Sequence, residues 1–328
     1  MTEPTRHTGP NDPAEATGPK TPFDTPDFEI PDFDPKRTRR AVRGGILRTS
    51  LVVLVTLVMI FLVATVGSEA FQRRGDRETR MLDVLGTALQ IANPGYEVRP
   101  GEITAAPLSL SMEVGVSPRR VQGSFRTGTA FGDRGEELTQ DFFGRVRRPP
   151  LGHATETPLT YALYNVGTGN QPKEHMRKVL ARLPETMNAL AVVEFTAPRT
   201  GSQLAAFGGQ YRSCPDLVVY ENRPRSTPIT WGTGMLPSTS TMRSGACSDL
   251  IPHELANFRA WVGALREYDE PNLRRFGLDL ARLRSAASGG KAYAYVDTLS
   301  TVGQLRRILD DPLVATVRVA EVAYDLER

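Results

Sequence analysis

Polar and apolar positions are mixed along most of this chain, but one stretch breaks the pattern. From Leu51 to Val66 the sequence LVVLVTLVMIFLVATV holds no charge, glycine or proline, and Arg48 and Glu69 bracket the wider run Thr49 to Ser68. About twenty residues at helical rise cover roughly 30 Å, the hydrocarbon thickness of a bilayer. Residues 49–68 are therefore expected to form a transmembrane helix, with residues 1–48 on one side. Ser68-Glu69-Ala70 loosely fits a signal-peptide cleavage site. The preceding region is too long for a leader, though, and the run exceeds the usual apolar core of about 7–15 residues. The expectation is an uncleaved anchor.

After the span, residues 69–95 read as a juxtamembrane helix, with Met81, Leu82, Val84, Leu85, Ala88 and Leu89 on one side. It stops at the breaker Asn93-Pro94-Gly95. Residues 96–328 form the large domain. Ile103 to Gln122 alternates like a strand, whereas Gly123 to Gly152 is Gly/Arg-rich and suggests no particular element. Strands are expected at Leu159 to Val166, Ala189 to Phe195, Leu217 to Tyr220, Ile229 to Gly232, Ala292 to Val296 and Val314 to Tyr324. Helices are expected at Lys173 to Leu183, Ser202 to Phe207, Ile251 to Tyr268, Pro271 to Ala287 and Val302 to Leu309. Without a strict βαβ rhythm, the class is α+β. A faint internal echo joins VVEFTAPRTGSQLAAF (Val192 to Phe207) to YAYVDTLSTVGQLRRI (Tyr293 to Ile308). Each gives a strand, a threonine-bearing loop and Gln-Leu opening a helix.

Charge sets an orientation. Lys36, Arg37, Arg39, Arg40, Arg43 and Arg48 precede the span with no acid among them. Arg73, Arg74, Arg77 and Arg80 follow it, interleaved with Glu69, Asp76 and Glu78. Positive residues collect on the cytoplasmic side, which places the N-terminus in the cytoplasm and the large domain outside. The formal net charge of +3 is too small to mark a nucleic-acid binder. Cys214 and Cys247 are the two cysteines. In an oxidising compartment they are candidates for a disulfide closing a loop of about 33 residues for about 3–4 kcal/mol; two unpaired thiols are the alternative. Zinc is disfavoured because neither cysteine has a second ligand at metal-binding spacing.

The tail has its own character. Residues 1–35 are rich in Pro, Thr, Asp and Glu and poor in aliphatics, a disordered composition. Within them FDTPDFEIPDFDP spaces Phe23, Phe28 and Phe33 five residues apart, each beside an acid, with Asp27 and Asp32 among them. Pro26 and Pro31 discourage a helix, so this segment is expected to dock extended onto a basic groove of a cytoplasmic partner; an ordinary solvated tail is the plain reading. The basic cluster Lys36 to Arg48 suits anionic headgroups.

The C-terminal run GGKAYAYVDTLSTVGQLRRILDDPLVATVRVAEV, preceded by ELANFRAWVGALREY, resembles the C-terminal domain of membrane-anchored sigma-factor regulators, the anti-sigma factor C-terminal domain family. The elements that carry it are Phe258 and Leu265, Gly290 with Ala292 to Val296, Thr301, Leu305 to Leu309, and Val314 to Val322, with ALAVVEFTAP and Trp231 at further sheet positions. The resemblance implies a short cytoplasmic tail, one anchor and an extracytoplasmic α+β sensor-like domain acting on a sigma factor. Many such regulators hold the sigma factor with a zinc-binding helical domain. This tail offers only His7 and no cysteine, so contact would fall to the segment around Phe23 to Phe33.

Catalytic patterns are wanting. His7, His153, His175 and His253 are scattered, His253-Glu254 lacks the second histidine of H-E-x-x-H, and no G-x-S-x-G, P-loop or dinucleotide fingerprint occurs. Gly232-Thr233-Gly234 reads as a turn. Glu267, Asp269 and Glu270 are carboxylates with acid/base potential, but they sit where one helix ends and another begins. No enzyme activity, cofactor or metal is expected. Two classes of function remain: a signal-transducing regulator of a sigma factor, and an envelope structural or assembly protein whose outer domain binds an envelope partner or ligand.

Overall fold

The computed structural model describes residues 35–73, 76–106, 108–121, 134–147, 151, 157–232, 235 and 247–324. The chain divides into two units, residues 1–58 and 59–328. The first described element is one long helix, α1 (Pro35–Arg73). Its apolar part, Val42–Gly67, is 26 residues long, with a mean hydropathy of 2.7 over its most apolar 18 residues and none of it buried, so it is long and apolar enough to cross a membrane. Within it the Thr56 and Thr65 hydroxyls donate to the carbonyls of Val52 and Leu62, which removes their polarity from an apolar surrounding. The helix begins earlier than residue 49 and carries Arg43 and Arg48, so its uncharged stretch starts at Thr49.

Helix returns as α2 (Arg77–Arg80), a π-helical turn at Met81–Gly86, and α3 (Thr87–Ala92). It ends at Asn93, as Pro94-Gly95 dictates. Met81, Val84, Leu85, Ala88, Leu89 and Ile91 are buried: this is a core helix of the domain rather than a stalk. Three antiparallel strands follow, β1 (Tyr96–Ala106), β2 (Ser109–Pro118) and β3 (Arg134–Asp141), in that spatial order. The single strand expected over Ile103 to Gln122 is in fact most of a hairpin that reverses at Leu108, whose φ is +65°. β3 lies in the stretch left without an element.

The next element is α4 (Pro158–Tyr164), a helix where a strand was expected. Thr157 caps it through the Thr160 amide, Pro158 preorganises the first turn, and Leu159, Ala162, Leu163 and Val166 recur at helical spacing and are buried. Next come α5 (Lys173–Ala181), β4 (Asn188–Arg199), α6 (Gly201–Tyr211), β5 (Leu217–Glu221), β6 (Ile229–Gly232) and α7 (Cys247–Ala264). A 3₁₀ turn at Glu267–Asp269 leads to α8 (Glu270–Arg275) and α9 (Leu280–Gly289), where one helix was expected. The break falls at Gly277, with φ +73°, and Asp279 recaps the chain by accepting from the Arg282 amide. β7 (Ala292–Asp297), α10 (Val302–Asp310) and β8 (Val314–Ala323) complete the α+β domain.

The second sheet is fully antiparallel in the order β6-β5-β7-β4-β8. With β6 set aside, the units β4–α6–β5 and β7–α10–β8 interleave in the order 4-1-3-2 of a split βαβ, or ferredoxin-like, sheet. β6 and α7 to α9 are inserted between the two halves. One face carries Val193, Phe195 and Tyr295 against α6, with Phe195, Phe207 and Tyr295 in mutual ring contact. The other carries Arg318, 2% exposed and paired with Glu194 at 2.9 Å, beneath the loop after α4. Gly167 donates its amide to Glu194, while Gln171 accepts from both Arg318 and Thr316. A buried pair is tolerated only when its remaining donors and acceptors are filled in this way.

Candidate functional site

The helix that follows the apolar span lines a concave surface. Met81, Val84 and Leu85 of the π-helical turn form one wall of a groove of about 380 Å³; Gln140, Phe142, Phe143 and Gly144 at the end of β3 form another, and Tyr268, Asp269 and Asn272 close it. Asp269, only 5% exposed, is the charged floor. It pairs with Arg80 at 2.7 Å and accepts the Arg266 amide. Arg77 donates to the carbonyls of Asp141 and Phe142, and Asn272 joins the Gly144 carbonyl to the Val146 amide, so the end of β3 is tied to α2 and α8. Tyr268 lies under two guanidiniums, Arg80 at 5.0 Å and Arg266 at 5.9 Å. Phe143 is 81% exposed.

A π-helical turn widens the backbone and shifts its hydrogen bonding. Here the Asp83 carbonyl accepts the indole N–H of Trp261 on α7 at 2.8 Å. Trp261 packs on Trp231 of β6, Trp231 on Phe258, and Phe258 stacks on Tyr220 of β5. The Thr87 hydroxyl reaches the Met235 carbonyl. An unbroken run of packed side chains thus joins the helix after the span to the edge of the five-stranded sheet. Glu254 closes that run by accepting from the Trp231 indole, and burial pushes its carboxyl above the ordinary range, partly opposed by the hydrogen bonds from Trp231 and Asn257.

A second polar cluster is closed to solvent. Asp297, fully buried, accepts the amides of Leu299 and Ser300 with one oxygen and the hydroxyls of Ser213 and Ser300 with the other. The Ser213 oxygen is also 2.9 Å from the Tyr295 hydroxyl. A serine beside a carboxylate invites a nucleophile reading, but Ser213 is 1% exposed and, among the described residues, no histidine joins the cluster; its geometry fastens the β7–α10 loop to the end of α6. Next in the chain, Cys214 is disulfide-bonded. Burial raises the carboxyl of Asp216, which also accepts from Thr298.

Among the residues singled out from sequence, Phe23, Asp27, Phe28, Asp32 and Phe33 lie outside the described residues, as do His7, His153 and Thr233-Gly234. Cys247 opens α7, and its side chain is also outside the description. The carboxylates of the 266–270 turn are each engaged structurally: Glu267 with Arg284, Asp269 with Arg80, and Glu270 with Arg274 and the Leu280 amide. The groove itself was not anticipated. Its one visible signal is the Phe142-Phe143 pair within a Gly/Arg-rich stretch. Family models, curated proteins and solved structures were compared with the chain, and none matches.

Proposed function

We propose that this chain is a single-pass membrane regulator, with an extracytoplasmic, non-catalytic α+β domain coupled through α1 to a cytoplasmic tail that restrains a sigma factor. The observation that carries the reading is the burial of the helix following the span. A domain hung from a flexible linker would decouple from its anchor. Here residues 77–80 are not buried, but from Met81 onward the helix is core, and Trp261 and Thr87 clamp it to the sheet edge. An event at the sheet edge therefore has a packed route to the π-helical turn and α3, which follow the span in sequence. The charge asymmetry around the span supports a cytoplasmic N-terminus, and the spaced phenylalanines supply the binding segment.

The test is on the tail. In the full chain, replacing Phe23, Phe28 and Phe33 together with alanine should abolish co-purification of a sigma factor and raise transcription of its regulon. A silent triple variant, combined with envelope defects on loss of the outer domain, would replace this reading with that of an envelope assembly protein. Orientation has a separate check. Protease added to spheroplasts should remove the domain and spare a tail epitope; the reverse result inverts the topology.

A further inference from the structure

The rim of the groove keeps its aromatics in water. Phe143 is 81% exposed and Tyr268 58%, although each apolar Å² left uncovered forgoes about 25 cal/mol. Exposed aromatics grouped around a concavity mark a contact surface. Their charge setting is specific. Arg80 is neutralised by Asp269, whereas among the described residues Arg77 donates to the carbonyls of Asp141 and Phe142, neutral acceptors that leave its positive charge in place. Arg266, exposed, lies over the Tyr268 ring. Aromatic rings interleaved with guanidiniums suit the boundary between acyl chains and phosphates.

Chain connectivity identifies the surface. Gly67 ends the apolar span, and α1 continues to Arg73. Six helical steps and four more to Arg77 reach at most about 23 Å, and the Arg77 guanidinium touches the Phe142 carbonyl. Whatever the course of residues 74 and 75, the rim is tethered within reach of the bilayer that holds the span.

We propose that the rim formed by Phe143, Tyr268, Arg77 and Arg266 docks onto the headgroup region of the bilayer that the chain's own helix crosses. The rings sit at the glycerol level and the guanidiniums meet lipid phosphates. The contact orients the domain on the membrane and holds the Arg80–Asp269 pair and the π-helical turn at the bilayer surface. It rests on the span of the proposed function but not on the sigma factor.

The experiment uses the full chain in lipid nanodiscs, with acyl chains either brominated near the glycerol or unbrominated. Trp231 and Trp261 are 1% and 3% exposed and give a protected background, so an F143W reporter can be read directly; F61W, within the span, is the control. Bromolipid should quench the added emission of F143W relative to unbrominated lipid, as expected of a ring at the interface, with Y268W behaving alike. Arg266→Glu in the F143W background should weaken the quenching, more so with anionic lipid. Quenching of F61W without F143W and Y268W leaves the span standing and overturns the docking. Failure of all three reporters overturns the span and the docking with it. Shielding of F143W from aqueous iodide without bromolipid quenching overturns the docking in favour of a protein partner.

Discussion

Strand β4 with helix α6 and strand β7 with helix α10 open on the same local grammar and are used differently. Thr200 and Thr301 both cap by accepting the amide of a glutamine three residues on. In the first unit Gln203 folds back to the Thr200 amide and closes a capping box. In the second, Gln304 turns away and donates to the carbonyls of Tyr211 and Arg212, where α6 ends at a left-handed Arg212. These are the orphan acceptors of a helix C-terminus. A return tie runs from the Tyr211 hydroxyl to Asp311, just past α10. In the preceding strands Thr196 is exposed, while Asp297, its counterpart in the echo, is buried with four donors. Repetition sets where each helix starts; the sheet order, which places β4 beside β7, decides which copy becomes the fastening.

The largest expected difference tests that asymmetry at the loops. Asp297→Ala leaves two amides and two hydroxyls without their acceptor and should cost about 3–5 kcal/mol. Thr196→Ala should cost under about 0.5 kcal/mol, as for an exposed surface position. Urea unfolding of the full chain in detergent, followed by tryptophan fluorescence, gives both values. Equal losses would mean that the Asp297 cluster is no more than a local turn.

Next come the glutamines. Gln304→Ala should destabilise by about 1–2 kcal/mol, because it strips two helix-terminal carbonyls, and Gln203→Ala by about 0.5 kcal/mol, since only the return half of a capping box goes. If the order reversed, the cross-tie between the helices would not hold them together. The threonines should not differ: Thr200→Ala and Thr301→Ala each remove one cap at about 1 kcal/mol. A clear inequality here would break the comparison itself.

That echo shows what this sequence makes legible. Local signals carry far: the uncharged run, the Asn93-Pro94-Gly95 stop, the two Thr-x-x-Gln caps, the β-branched residues of β4, β5 and β8 and the alternating Ala and Tyr of β7. Two of the departures from the sequence expectation have identifiable physics. Residues 159–166 are apolar enough for a strand, but Leu159, Ala162, Leu163 and Val166 follow a 3.6-residue period behind a Thr-Pro start. β3, RGEELTQD, carries one aliphatic, Leu138, because an edge strand need bury little. The groove escapes entirely. Its walls come from residues 77–85, 140–144 and 268–272, and the strand pairings and turns that bring them together are long-range. Asp269 could be seen as a helix-terminus acid; its pairing with Arg80, 189 positions away, could not.

The last effect concerns the return tie, and its pH dependence shows only in alkali. Burial, and then the hydrogen bond to Asp311, push the Tyr211 phenol up to about 12 from its ordinary 10.0. The folded state therefore holds this proton more tightly than the unfolded chain does. Below pH 10 both states keep it and the contribution is fully present. Between pH 10 and about 12 the unfolded phenol ionises first, so stability is lost as pH rises. Tyr211→Phe cannot ionise and removes the tie. Near neutral pH the variant should sit slightly below the parent, by the net worth of one hydrogen bond, roughly 1 kcal/mol. Above pH 10 the parent should fall toward it, and the gap between their urea midpoints should narrow. A gap independent of pH would mean that the Tyr211 hydroxyl is free in water, and that α10 reaches α6 through Gln304 without a return bond.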